Sequence, residues 1–231
     1  GIKNLSASDV TESVNVFAEK IEASQIIFIP GGFSGGDEPD GSGKFIANVL
    51  NNKDISEEIH RLLDRGGLIL GICNGFQALI KLGLAAYGDI RPITSCDPTL
   101  TFNTIGRHQS MLVRTRVASN KSPWLSECNV DDEHLIAISH GEGRFVAPQN
   151  VLDQLVANGQ VATQYVDLEG EPTMDQRYNP NGSLLAIEGI TGHAVPEKIQ
   201  GSLTVAAFAL LFGLMLFATY NDIVRLVTGV I

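Results

Sequence analysis

Apolar and polar positions along the first 85 residues predict two strand–turn–helix units. Residues 25–30 (QIIFIP) and 68–72 (LILGI) are short apolar runs rich in isoleucine, and turn residues follow both, which is typical of buried strands. Apolar residues at helical spacing come next in each case, over 44–64 and 74–84, with a predicted break near Asn51-Asn52. Two such units in succession favour a parallel sheet that is covered by helices.

The second half of the chain has a different pattern. Residues 110–118, 134–139 and 160–166 are strand-like, and turns rich in proline, glycine and asparagine separate them. We therefore expect a β-rich second half after an α/β first half.

A third pattern begins at Leu203, because the eighteen residues up to Tyr220 carry no charge. At about 1.5 Å per residue, a helix of this length spans roughly 27 Å, close to the hydrocarbon thickness of a bilayer. We divide the chain into a domain over residues 1–192 and an apolar C-terminal helix over 193–231. That helix is either a transmembrane segment or a very hydrophobic core helix of the preceding domain.

Composition and cysteine spacing limit the classes of binding partner and the cellular compartment to be expected. Sixteen Lys and Arg against 26 Asp and Glu give a net charge of −10, which disfavours nucleic acid and favours a small molecule or a protein as partner. Cys73, Cys96 and Cys128 form no CxxC pair, so neither a disulfide framework nor a metal site is expected. No basic-then-apolar leader opens the sequence, and we expect a cytoplasmic protein whose tail can associate with a membrane.

The segment Gly71-Ile72-Cys73-Asn74-Gly75 joins a predicted strand to a predicted helix and has the G-x-C-x-G form of a nucleophile elbow. Flanking glycines relieve the crowding of a sharp turn, and the positive potential of a helix N-terminus favours a thiolate. The N–H of Asn74, with one from the Gly31-Gly32 loop, is placed to bind an oxyanion. The alternative is a structural cysteine beside a glycine-rich turn.

Five segments in order resemble class I glutamine amidotransferases, and among them the glutaminase domain of phosphoribosylformylglycinamidine synthase. They are IIFIPGGFSGGDEPDGSGKFI, GICNGFQALIKLGL, TFNTIGRHQSMLVRT, ISHGEGRFV and YNPNGSLLAIEGIT. The resemblance covers about Ile2 to Thr191 and implies a flavodoxin-like α/β fold. Domains of that family begin with one more strand and helix and end with one more strand, so we expect a sheet that is incomplete at both ends.

The resemblance also implies roles for particular residues. Cys73 is the expected nucleophile, and the implied substrate-binding residues are Gly31, Gly32, Phe33, Asn74, Gln77, His140 and Gly141. Without the resemblance, the glycine loop is only a flexible turn and His140 is a core or loop histidine. For Arg107 and His108 we expect a structural or domain-contact role.

The histidine and glutamate that complete catalysis in class I amidotransferases normally stand one residue apart near the C-terminus. That stretch is missing after Thr191, and His193 and Glu197, four residues apart, are the only candidates for the pair. The tail instead resembles the last membrane helix of site-2 intramembrane metalloproteases. The H-E-x-x-H zinc helix of that second family is absent from the sequence, so no protease activity is expected.

The resemblance implies that this chain hydrolyses glutamine to glutamate and ammonia through a Cys73 thioester. Ammonia would pass to a formylglycinamide ribonucleotide synthetase domain or subunit in purine biosynthesis, the ligase that holds ATP and magnesium. No cofactor is expected in this chain, which has no G-x-x-x-x-G-K-[ST] loop. The alternative is a catalytically inactive amidotransferase-like fragment fused to a membrane helix.

Overall fold

A computed structural model describes residues 6–32 and 42–192, all within one compact unit over residues 1–194. No helix of these two ranges is long and apolar enough to cross a membrane. The predicted apolar helix, together with Phe33, His193 and Glu197, lies outside the described residues. The assignment of the tail therefore stays a prediction.

The two predicted strand–turn–helix units are present. In chain order after an N-terminal helix, their elements are β1 Ile26–Ile29, α2 Ser42–Leu50, α3 Lys53–Asp64, β2 Leu68–Gly71 and α4 Asn74–Leu82. β1 and β2 pair in parallel, with Ile26 opposite Leu68 and Ile29 opposite Gly71. The predicted helix break is confirmed, because Asn52 lies between α2 and α3 and caps α3 by accepting the N–H of Asp54 at 3.1 Å.

The N-terminal helix α1, Ala7–Glu22, was not predicted. Ser6 caps its first turn by accepting the N–H of Asp9 at 3.2 Å, and α1 packs against α3. Arg65, just after α3, donates to the carbonyls of Ile21 and Glu22 at 2.9 and 2.8 Å. One arginine therefore binds carbonyls at the end of α1, where regular helical hydrogen bonding stops.

The second half is β-rich, as predicted. Its elements are α5 Leu84–Tyr87, β3 Thr99–Thr101, β4 Gln109–Val117, β5 Glu133–His140, β6 Arg144–Val146, α6 Gln149–Ala157, β7 Val161–Tyr165 and β8 Ile187–Ile190, with short 3₁₀ turns at Pro123–Leu125 and Leu184–Ala186. Four of the strands form an antiparallel sheet in the order β5-β4-β7-β8, while β3 and β6 form a separate antiparallel pair. The described residues thus form a mixed α/β fold.

The main core joins the two halves. It contains the fully buried Ile55, Ile59 and Leu62 of α3 together with Phe145 of β6 and Leu155 of α6. A smaller cluster lies on the antiparallel sheet around Val113, Ile138 and Tyr165. The turn between β5 and β6 lies close to the start of α4, because Gln77 Nε2 donates to the carbonyl of Glu142 at 3.0 Å.

Candidate active site

Cys73 lies on a strained turn between β2 and α4. Its φ of 54° and ψ of −112° fall in a region that residues with a side chain rarely occupy, and its side chain is exposed. A strained nonglycine residue at a strand-to-helix turn is typical of functional sites. This geometry agrees with the predicted nucleophile elbow.

The glycines around Cys73 are required by close contacts. A Cβ at Gly75 would lie 2.1 Å from the carbonyl oxygen of Ile29, and one at Gly71 would lie 2.7 Å from the carbonyl of Gly75. A Cβ at Gly31 would lie 2.7 Å from Cys73 Cβ and 3.5 Å from its Sγ. The glycines therefore let the elbow, the end of β1 and the Gly31-Gly32 segment approach one another.

Asn74 connects the elbow to the glycine segment, because its side-chain amide donates to the carbonyl of Gly32. Asn74 is the first residue of α4, so its backbone N–H is among those that helical carbonyls cannot satisfy. The N–H of Gln77, one turn later, is bonded to the Cys73 carbonyl at 3.0 Å. The arrangement leaves a backbone donor beside the thiol, where an oxyanion would form.

A cavity of about 350 Å³ opens in front of Cys73. This volume is at the lower end of those typical for small-molecule sites. The lining residues are Gly31, Gly32, Cys73, Asn74, Gln77, Phe102, Gly106, Arg107, His108, Ser139, His140, Gly141 and Glu142.

The wall of the cavity opposite the elbow consists of two segments, 102–108 and 139–142. Asn103 joins them: its side-chain Nδ2 donates to the carbonyls of Arg107 at 3.1 Å and His140 at 2.8 Å, and its Oδ1 accepts the N–H of Gly143 at 3.2 Å. Asn103 is buried. One amide side chain thus fixes the relative position of both segments.

A buried polar cluster binds the backbone that follows the second segment of this wall. Asn181 donates to the Gly143 carbonyl at 2.7 Å and to the Tyr165 hydroxyl at 3.0 Å, while Ser183 Oγ accepts the N–H of Phe145 at 3.0 Å. Asn179 accepts the N–H groups of Gly182 and Ser183 at 3.1 and 3.0 Å. Buried amides with several partners rigidify the backbone that they hold.

Two imidazoles lie on this wall. His108 Nε2 and Ser139 Oγ are 2.9 Å apart, within hydrogen-bonding distance. His140 packs so closely on Gly143 that a Cβ there would lie 2.5 Å from its ring. Burial lowers the pKa of His140, and the nearby charge of His108 lowers it further, so the neutral imidazole is favoured.

Gln77 links the elbow helix to the opposite wall. Its Nε2 donates to the carbonyl of Glu142 at 3.0 Å, and its buried Oε1 has no hydrogen-bond partner among the described residues. A glycine at position 43 makes room for this side chain, because a Cβ there would lie 2.6 Å from Gln77 Cβ. The amide therefore ties α4 to the segment that carries Glu142.

The structure brings the described members of the predicted site together. All six predicted substrate-binding residues that are described line the same cavity as Cys73: Gly31, Gly32, Asn74, Gln77, His140 and Gly141. Their catalytic and binding roles stay predictions. Within the described ranges, no group of three or more His, Cys, Asp or Glu side chains could hold a metal ion.

Sequence reasoning missed part of the opposite wall. Arg107 and His108, expected to have a structural or domain-contact role, line the cavity, and so does Phe102. Asn103 was not singled out at all. The available signal was the segment TFNTIGRHQSMLVRT, which marks the region but does not reveal which of its side chains face the cysteine.

An α/β fold with a cysteine elbow over a glycine segment and a small cavity suits an enzyme that uses a cysteine nucleophile. A family model described as "CobB/CobQ-like glutamine amidotransferase domain" matches residues 2–194. The chain belongs to this family.

Individual relatives give a finer comparison. The chain is 36% identical to the phosphoribosylformylglycinamidine synthase subunit PurQ of Methanococcus maripaludis over 176 residues, 74% of this chain and 61% of the relative. It is 35% identical to PurQ of Picrophilus torridus over 181 residues, 77% of this chain and 68% of the relative. The structure of PurLQS from Thermotoga maritima matches with a TM-score of 0.53 and 29% identity, over 74% of this chain and 64% of that chain.

Proposed function

We propose that this chain is a glutaminase that hydrolyses glutamine to glutamate and ammonia, with Cys73 as the nucleophile. The observation that carries the proposal is the strained position of Cys73 at the start of α4, where its side chain lines the cavity. Similarity to PurQ subunits over 61% of the length of the first relative supports the same activity class.

The chemistry follows from the groups at the elbow. The thiolate of Cys73 attacks the side-chain amide carbon of glutamine, and the N–H of Asn74 stabilises the oxyanion. A proton reaches the nitrogen and the carbon–nitrogen bond breaks. Ammonia departs, and a glutamyl thioester remains on Cys73. Water then hydrolyses the thioester, which returns the thiol and releases glutamate.

The proton transfers need an acid–base group. The sequence assigns this role to His193, oriented by Glu197, and both lie outside the described residues. The imidazole among the described residues that suits a base is His140, because its lowered pKa favours the neutral form. We keep His193 as the proposed base and treat His140 as the alternative.

The proposed partner is a synthetase domain or subunit that uses the ammonia. PurQ is by name a subunit of phosphoribosylformylglycinamidine synthase, and the matched Thermotoga maritima structure is of PurLQS. We therefore propose that ammonia from this chain serves formylglycinamidine ribonucleotide synthesis in purine biosynthesis. ATP and magnesium belong to that partner, and the proposed location is cytoplasmic.

The finer fold proposal is a flavodoxin-like sheet that contains β1 and β2. Among the described residues β1 pairs with β2 alone, and Ile26 and Phe28 on β1 are 47% and 55% exposed. Apolar side chains on a strand are normally covered by a neighbouring element. This exposure supports the expectation of a sheet that is incomplete within the described part of the chain.

The test uses a diazoketone analogue of glutamine followed by peptide mass spectrometry. We expect Cys73 to be labelled in preference to Cys96 and Cys128, and Cys73→Ser to abolish both labelling and ammonia release. Cys96→Ser is the matched control, because Cys96 is also exposed but lies away from the cavity. Equal labelling of all three cysteines would contradict the proposed nucleophile.

Turnover distinguishes an active enzyme from the inactive-fragment alternative. If Cys73 is labelled but ammonia release is not above background, the chain is an inactive amidotransferase-like protein. If turnover is measurable, His193→Ala is expected to lower it by about 10²- to 10⁴-fold, and His140→Ala is expected to leave most of it. The reverse result would identify His140 as the base.

A further inference from the structure

Arg107 differs from the other arginines of the described residues. Each of the other seven donates to a carboxylate or a carbonyl: Arg61, Arg65, Arg91, Arg114, Arg116, Arg144 and Arg177. Among the described residues, the Arg107 guanidinium has no such partner, and its residue lines the cavity in front of Cys73. A cation without a counterion in a small cavity is a candidate ligand-binding group.

The backbone of Arg107 is firmly held although its side chain is exposed. Its carbonyl accepts the side chain of Asn103 at 3.1 Å, and the preceding Gly106 has a φ of 69°, in the left-handed region. The same Asn103 holds the His140 carbonyl on the neighbouring segment. The backbone that carries the guanidinium is therefore fixed relative to segment 139–142 of the same wall.

The charges in the cavity suit a zwitterion. Arg107 and Glu142, one cationic and one anionic residue, both line this cavity. A planar guanidinium matches a carboxylate through two parallel N–H donors, a geometry that lysine cannot reproduce. The thiol of Cys73 belongs to the elbow wall, which leaves the other wall for the α-carbon end of a substrate.

We propose that Arg107 binds the α-carboxylate of the amino-acid substrate and so selects free glutamine over amides that lack this group. The proposal rests on the proposed glutaminase function, because it takes glutamine as the occupant of the cavity. Removal of a charge-assisted hydrogen bond costs roughly 1.5–3 kcal/mol, which corresponds to a loss of affinity of about 10- to 150-fold.

The experiment measures how well ligands protect Cys73 from iodoacetamide, which has no α-carboxylate and needs no turnover. In the unsubstituted chain, glutamine is expected to protect Cys73 much better than glutaminamide, in which an amide replaces the α-carboxylate. Arg107→Met is expected to weaken protection by glutamine about 10- to 150-fold. Protection by glutaminamide is expected to stay the same, so the preference between the two ligands disappears.

Two further variants complete the test. Arg107→Lys keeps the charge and is expected to restore part of the protection, whereas Arg177→Met, an exposed arginine outside the cavity, is expected to change nothing. The alkylation rate without ligand reports whether each variant keeps its elbow intact.

The outcomes separate the two proposals. If glutamine fails to protect Cys73 in the unsubstituted chain, the proposed function is wrong and the role of Arg107 falls with it. If glutamine protects the unsubstituted chain and Arg107→Met equally, the proposed function stands and Arg107 does not bind the carboxylate. A loss of protection in Arg107→Met that includes glutaminamide to the same extent also overturns the proposal, because the effect is then not specific to the carboxylate.

Discussion

Replacement of Asn103 by alanine tests whether one buried amide holds the wall of the cavity. The substitution removes three hydrogen bonds: two that Nδ2 donates, to the carbonyls of Arg107 and His140, and one that Oδ1 accepts from Gly143. The backbone bonds of residue 103, to Gly141 and from Gly106, are both 2.9 Å long and do not depend on the side chain. The change therefore isolates the contribution of the amide.

The expected loss of stability follows from the number and burial of these bonds. Asn103 is only 3% exposed, so water cannot easily replace the lost partners. A buried hydrogen bond contributes about 1 kcal/mol net, and three of them give a loss of about 3 kcal/mol in the free energy of unfolding. For a domain of this size that corresponds to a fall in Tm of roughly 6–12 °C.

The assay is urea unfolding followed by circular dichroism, with Asn120→Ala as the matched control. Asn120 is exposed and its side chain makes one bond, to the Cys128 carbonyl at 3.2 Å. We expect the control to lose less than about 0.5 kcal/mol. Asn103→Asp keeps the size of the side chain but removes the donor, and it is expected to destabilise the protein at neutral pH at least as much as alanine.

The reasoning is refuted if Asn103→Ala is no less stable than Asn120→Ala. It is also refuted if Asn103→Asp matches the unsubstituted chain at neutral pH, because the two donated bonds would then contribute nothing. A loss close to the expected value, together with weaker protection of Cys73 by glutamine, would link the amide to the cavity as well as to stability.

Two more predictions concern the elbow and a buried carboxyl. Gly75→Ala is expected to lower the free energy of unfolding by about 3 kcal/mol, because the new Cβ would lie 2.1 Å from the Ile29 carbonyl. Gly141→Ala has open space around it and should change the free energy of unfolding by less than about 0.5 kcal/mol. Equal effects of the two variants in urea unfolding would contradict the close approach. Glu188 accepts a hydrogen bond from Thr163 at 2.5 Å, and burial raises the pKa of its carboxyl above the usual 4.5. The folded state then binds more protons than the unfolded state, so the free energy of unfolding falls as the pH rises from about 4.5 towards the folded pKa. Glu188→Gln is expected to be more stable than the unsubstituted chain at pH 7 and to lose this pH dependence. A steeper loss of stability with pH in Glu188→Gln would show the opposite sign.

Local sequence pattern was sufficient for most of the first half. Apolar runs and helical spacing predicted β1, α2, α3, β2 and α4, because each of these elements buries one face or one short strand in the core. The glycines on both sides of Cys73 predicted a tight elbow, and the close contacts of Gly71 and Gly75 confirm why a side chain is excluded there. Helix α1 was missed because its apolar residues do not share one buried face. Val14 and Ile21 pack into the core, whereas Val10, Val16 and Phe17 are exposed.

The opposite wall of the cavity was decided by tertiary structure. The sequence predicted that His140 and Gly141 lie near the glutamine pocket, but only through the resemblance to a family. It did not place Arg107 in front of Cys73 or identify Asn103 as the residue that joins segments 102–108 and 139–142. Segment 102–108 is irregular, and segment 139–142 consists of the end of β5 and the turn that follows it. The two segments are far apart in the chain, so no repeating pattern of apolar residues records their contact. Periodicity encodes which face of an element is buried, whereas the contact between a loop and the end of a distant strand depends on how the elements pack, and only the folded chain determines that.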